Sequence, residues 1–174
     1  MNQGLNQLVF GWLHKLSGIY WLSDWVIILF AKFLPSILFV WFLVIIYKSS
    51  YSKKLFLWQV VFWCLSLLIS WVAIGGGIHY FYPVLRPHVL LNFTPVVADN
   101  FTPATPSGHA LFLFTLVGSL YYFSKKDFNL FLVLSTLACI ARVISGNHWP
   151  FDILLGAIIS LVTVFTLEKF FKYN

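Results

Sequence analysis

The sequence predicts an all-α membrane protein, a bundle of five transmembrane helices preceded by an amphipathic helix lying in the interface. Three observations carry that reading. The 174 residues are 60% hydrophobic, 20% aromatic and only 9% charged, against about 25% charged in soluble domains. So few charges cannot cover a water-facing surface. The apolar residues gather in runs near the bilayer-crossing length of about 20 residues. The lysines cluster in short segments between those runs, as cytoplasmic loops do. The length suits one domain, residues 1–174. The net charge of +6 is thus a topological signal, and no nucleic-acid partner is expected.

Residues 2–16 place Leu5, Leu8, Val9, Trp12, Leu13 and Leu16 along one side of a helix. Gln3, Asn6, Gln7, His14 and Lys15 take the other side. This pattern reads as an interfacial helix and not as a secretory signal, and a helix packed on the bundle would fit it too. His14 is expected on the polar face, with no site implied. The first crossing, Trp25 to Tyr47, is apolar except for Lys32 and Ser36. Asp24 is expected to cap it, and Pro35 to kink it.

The basic stretch Lys48 to Lys54 leads to a second crossing, Leu55 to Ile78, where Gly75-Gly76-Gly77 reads as a helix stop. Residues 79–105 read as a long loop holding Pro83, Pro87, Pro95 and Pro103, and loops of such length are usually functional. Three further crossings follow: Pro106 to Phe123, Phe128 to Ser145, and Trp149 to Phe171. Cys64 and Cys139 fall inside apolar runs and read as small hydrophobes. Lys48, Lys53, Lys54, Lys125, Lys126, Lys169 and Lys172 share one side, which predicts a cytoplasmic C-terminus. The N-terminus and the long loop would then face outward.

Thr105-Pro106-Ser107-Gly108-His109 joins that loop to the third crossing. Pro106 suits a first helical turn. Free amides of Ser107, Gly108 and His109 would then face an anion at a positive helix end. Ser107 offers a hydroxyl, Gly108 lets a ligand approach the backbone, and His109 exchanges protons near neutral pH. The other unexplained polar residues are Arg86, Arg142, His148 and Asp152. Two crossings separate the starts of the third and fifth helices, so all these groups share one end of the bundle.

His148 and Asp152 stand four apart at a helix start and share a face. Asp152 can hold one ring nitrogen of His148 and leave the other as a nucleophile. The forks of Arg86 and Arg142 match phosphoryl oxygens. The set makes a phosphoryl-transfer site that needs no metal or cofactor. Each member alone has a plainer role: an interfacial anchor for Arg86, snorkelling for Arg142, a cap pair for His148 with Asp152. Together they favour function, because ionisable groups in membrane segments are functional by default. His79 and His88 read as ordinary loop histidines. A zinc site from His88, His109 and His148 matches no familiar ligand spacing, and the arginines would repel the cation.

These residues resemble the three-part signature of the type-2 phosphatidic acid phosphatase superfamily of membrane lipid phosphatases. Its second motif, Pro-Ser-Gly-His, is complete at Pro106 to His109. Its third is present as Arg142, His148 and Asp152, with Ala141 where the family usually has Ser. Its first keeps Arg86-Pro87 but has His79 where a Lys belongs. A looser likeness points to the bacterial undecaprenyl-pyrophosphate phosphatase branch.

The resemblance implies a helical bundle and a phosphohistidine route. His148 would attack phosphorus, Asp152 orient it, and His109 protonate the departing oxygen. Arg86, Ser107, Gly108 and Arg142 would hold the phosphoryl oxygens. Lys32 or His79 would supply the charge missing from the first motif. The implied substrate is a membrane lipid phosphate, undecaprenyl pyrophosphate first, with lipid A, phosphatidylglycerol phosphate and phosphatidic acid as alternatives. A rim of Phe81, Tyr82, Phe93 and Phe101 is expected to admit the lipid sideways from the bilayer. A reading from a different class is a lipid-phosphate transporter or binder, whose ionisable groups would lie near the midplane.

Overall fold

The computed structural model describes residues 3–99 and 103–171. Phe101 and Lys172, placed above at the rim and in the basic tail, lie outside the described residues. The described residues form α1 (Gln3–His14), α2 (Trp21–Ser49), α3 (Lys53–Phe81), the single turn α4 (Pro87–Leu90), α5 (Gly108–Phe123), α6 (Lys125–Ile144) and α7 (Pro150–Phe170). Helices α2, α3, α6 and α7 are long and apolar enough to cross a membrane, and α5 is a shorter apolar helix of 16 residues.

Helix α5 lies at the centre. Ala110, Leu111, Leu113, Leu116, Val117 and Leu120 are all fully buried, the condition of a helix apolar on every side. It runs parallel to α7, and small residues set the distance. A Cβ on Gly156 would stand 2.9 Å from the Ala110 Cβ, and one on Gly118 would stand 3.2 Å from Val164. Ser160 Oγ donates to the Leu111 carbonyl at 2.8 Å. Close backbone approach through small residues is how membrane helices associate. Here it also brings the N-termini of α5 and α7 to one level, at the bundle end opposite the lysine-bearing turns.

Two expectations about the helices change. The Gly75-Gly76-Gly77 stop is overturned, since α3 runs on to Phe81. A Cβ on Gly75 would sit 2.8 Å from Leu111 Cδ1, so this glycine serves close packing against α5. Before it, Leu68–Gly75 widens into π-helical turns. A second such turn, Leu29–Phe33, precedes Pro35 in α2. Proline lacks an N–H and crowds the carbonyl four residues back, and the wider turn absorbs both. Asp24 falls inside the first turn of α2 instead of capping it, and its Oδ1 accepts the Gly18 N–H at 2.8 Å.

Helix α1 meets the bundle through part of its polar side, with Gln7 and Lys15 left exposed. Asn6 Oδ1 accepts the Phe151 N–H at 3.1 Å, and His14 Nδ1–H donates to the Ile144 carbonyl at 2.8 Å. His14 thus satisfies a carbonyl at the C-terminal end of α6. Phe10 is buried against Trp149, while Leu5, Leu8 and Trp12 stay exposed.

Candidate active site

Ser107 is the N-cap of α5, and its Oγ accepts the Ala110 N–H at 3.5 Å. Pro106 therefore lies before the helix, not in its first turn, and the Thr105–Pro106 peptide is cis. The Ser107 amide is not free either, because it donates to the Asp152 carbonyl at 3.0 Å. That bond ties the α5 cap to the first turn of α7. Gly108 and His109 open the helix and line a cavity, whereas Ser107 is fully buried.

Asp152 is the hub of the second helix start. Its Oδ2 accepts the Trp149 N–H at 2.7 Å, and its Oδ1 accepts the Thr105 hydroxyl. The carboxylate closes the positive end of α7. His148 stands in the turn just before, with Nδ1 3.1 Å from the Ala104 carbonyl and 3.5 Å from Asp152 Oδ2. The carbonyl is thus the closer partner and fixes the proton on Nδ1. Nε2 is left with its lone pair for the cavity that His148 lines. Burial lowers the His148 pKa, although Asp152 opposes the shift. Desolvation disfavours the cation, so the ring is held neutral, the form a nucleophile requires.

The turn that presents His148 is itself pinned. Gly146 has a φ of +88°, and a Cβ there would fall 2.5 Å from the Phe93 ring. Asn147 Nδ2 donates to the Val97 carbonyl at 2.8 Å. Phe93 also packs on Phe10 and His14. It anchors the turn to α1 and does not belong to the expected lipid rim.

Arg86 precedes α4, and Arg142 lies in the last turn of α6. They meet on one atom: Asp99 Oδ2 accepts Arg86 Nη1 at 3.0 Å and also accepts Arg142 Nη2. Arg86 Nη1 further donates to the Asn147 carbonyl at 3.3 Å. Both guanidiniums are buried, and their Nε–H groups have no hydrogen-bond partner. Burial lowers the Arg86 pKa, and the Asp99 charge offsets part of that. Sequence reasoning passed over Asp99 and gave Thr105 and Asn147 no role at the site. Asp99 left a signal, being one of only five acidic residues and the only one in the long loop.

The cavity measures about 680 Å³. Its polar wall comprises His79, Arg86, Asp99, His109 and His148, and its apolar wall is drawn from Pro35, Phe39 and Val40 of α2, Trp71 of α3 and Phe112 of α5. Val40 of α2 and Trp71 of α3 are also exposed, so the apolar wall reaches the surface of the bundle at these two helices. Phe81 and Tyr82 are exposed but do not line it. Lys32 is exposed too, with Nζ 5.7 Å from the Phe33 ring centroid. The cavity wall starts past it, at Pro35 and Ser36, because the long side chain lies along its neighbouring aromatic. His79 does line the cavity, and its Nε2–H donates to the Pro106 carbonyl at 3.0 Å. His88 is turned to the Gly146 carbonyl, 3.2 Å away. Among the described residues no three His, Cys, Asp or Glu side chains are grouped to hold a metal.

A model of the PAP2 superfamily matches residues 80–174. The chain is 34% identical over 109 residues to the undecaprenyl-diphosphatase of Sulfolobus acidocaldarius, across 58% of this chain and 53% of that protein. It is 24% identical over 117 residues to the bacitracin transport permease protein BcrC of Bacillus licheniformis, across 67% of this chain and 55% of that one. The chain thus spans about half the length of the curated relatives it matches.

Among solved structures it resembles Aquifex aeolicus LpxE, with a TM-score of 0.77 and 20% identity over 97% of both chains. It also resembles the PAP2-type phosphatidylglycerolphosphate phosphatase of Bacillus subtilis, with a TM-score of 0.68 and 19% identity over 97% of this chain and 87% of that one. These two likenesses concern the fold. The family model covers more than half of the sequence and includes every motif residue that meets at the ends of α5, α6 and α7, and the chain accordingly belongs to the PAP2 superfamily of membrane proteins.

Proposed function

We propose that the protein is a lipid phosphate phosphatase that works through a phosphohistidine, with undecaprenyl pyrophosphate as its leading substrate. One observation carries this reading. His148 faces the cavity with Nδ1 engaged and Nε2 free, beside two buried arginines converging on a single anionic oxygen. Nε2 attacks phosphorus and forms an N–P bond as the bridging O–P bond breaks. His109 gives a proton to the departing oxygen. Water then attacks the phosphohistidine, His109 takes its proton, the N–P bond breaks and orthophosphate leaves. Arg86 and Arg142 neutralise charge on the equatorial oxygens, with Gly108 and the α5 end beside them and Ser107 behind. His79 braces Pro106 in place of the missing lysine, and Lys32 keeps at most a role at the mouth.

The apolar wall, exposed at Val40 and Trp71, suits a lipid chain, whose binding energy is available at the reacting centre. The relative named undecaprenyl-diphosphatase supports the prenyl substrate. The relative named a transport permease raises the carrier reading. Against it, the buried ionisable side chains among the described residues, Arg86, Arg142, His148 and Asp152, all gather at one bundle end. With the lysines cytoplasmic, that end faces outward, α5 completes five crossings, and the exposed Leu5, Leu8 and Trp12 of α1 rest in the interface.

The test is a panel of prenyl diphosphate, phosphatidylglycerol phosphate, phosphatidic acid and lipid A in matched micelles, with and without chelator. Prenyl diphosphate should release phosphate at least about tenfold faster than the rest, a difference of about 1.4 kcal/mol in barrier, and chelation should leave the rate unchanged. A glycerophospholipid preference with prenyl diphosphate at background would overturn the substrate, and no release from any lipid would overturn the phosphatase.

The pH profile offers an independent check. A lowered His148 pKa keeps the neutral nucleophile as pH falls through the ordinary histidine range. The acid limb of kcat/KM assigned to His148 should therefore lie below pH 6.5, the usual value. A limb at or above that value which disappears in a His148 variant with residual activity would contradict the assignment.

A further inference from the structure

We infer that Asp99 competes with the phosphoryl group for Arg86 and Arg142, so that its return to them expels product orthophosphate. This rests on the phosphatase reading above. One carboxylate oxygen, Asp99 Oδ2, accepts from both guanidiniums. The Nε–H of each arginine is buried without a partner. The two forks therefore present more donors than that oxygen takes, and a phosphoryl group with three equatorial oxygens matches them better. Asp99 also lines the cavity with His109 and His148, so its anion stands in the space where a phosphoryl group would meet the nucleophile.

Arg86 keeps a second anchor when Asp99 leaves, the Asn147 carbonyl, and Arg142 sits in the last turn of α6. Asp99 sits in irregular chain past α4 and belongs to no helix. An anion entering the site must displace Asp99 from both arginines, and its apparent affinity falls by the fraction of molecules in which Asp99 has let go. The same term acts on product, which carries about two charges near pH 8 and would otherwise remain between two buried arginines.

The experiment measures orthophosphate binding by calorimetry and orthophosphate inhibition of lipid turnover, at constant ionic strength, in wild type, Asp99→Asn and Asp99→Ala. Both variants should bind orthophosphate at least about tenfold more tightly, with the inhibition constant falling in parallel. Orthophosphate should also raise their unfolding temperature more than that of wild type, which keeps the comparison valid if the variants are less stable. If Asp99 instead aligns the arginines, the variants will bind orthophosphate equally or more weakly, and the inference is wrong while turnover of lipid phosphate stands. If no form binds orthophosphate and wild type releases none from lipid, the phosphatase reading and this inference fall together.

Discussion

Replacing His148 by alanine will lower kcat by on the order of 10⁴-fold or more, with lipid binding retained. Losses of this size follow removal of a covalent nucleophile, because the remaining groups can only bind and polarise. His148 is suited to that role by two features of its place in the turn. Its Nδ1 is engaged by the Ala104 carbonyl at 3.1 Å, which directs the lone pair of Nε2 to the cavity. Its burial keeps the ring neutral. Alanine leaves the Asp152 bonds to Trp149 and Thr105 untouched, so the fold around the site is expected to persist. Quenched-flow trapping of acid-labile phosphoprotein should show a burst in wild type and none in the variant. Turnover within about tenfold of wild type would remove His148 from the chemistry.

Asp152→Asn should cost about 10³–10⁴-fold in kcat with a small change in KM, the scale seen when the carboxylate behind a catalytic histidine is neutralised. The structure changes the reason. Asp152 is not the closest partner of His148 Nδ1, which lies 3.5 Å from its Oδ2. An asparagine oxygen can still accept the Trp149 N–H, and its amide can donate to the Thr105 hydroxyl, which is able to reverse its role. The substitution therefore keeps the cap and removes one negative charge beside a ring that becomes positive as the N–P bond forms. That loss belongs in kcat. An effect confined to KM, or a fall in unfolding temperature that accounts for the lost activity, would make Asp152 a structural cap alone.

The sequence by itself settled which residues sit at which end of the bundle. Two intervening crossings return the chain to the same side, and that count places His109, Arg142, His148 and Asp152 together whatever the packing. It also marked a helix start in this motif, although at Pro106 where the structure has Ser107 as the cap, and the four-residue spacing of His148 and Asp152, because capping and helical periodicity act over a few residues. What faced these groups from elsewhere was decided by tertiary packing. Asp99 meets Arg142 across 43 positions, and His148 meets the Ala104 carbonyl across 44. Main-chain carbonyls carry no sequence signature, and a lone acid in a loop does not announce its partner.

Packing likewise turned Gly75 from a stop into a contact with Leu111 and moved Phe93 from a rim to the Gly146 turn. It drew part of the polar face of α1 onto the bundle through Asn6 and His14. Each of these is the same physical choice. A small, aromatic or polar residue in an apolar chain has several local uses, and its neighbours across the fold decide which one pairs its polar atoms or fills the space beside it.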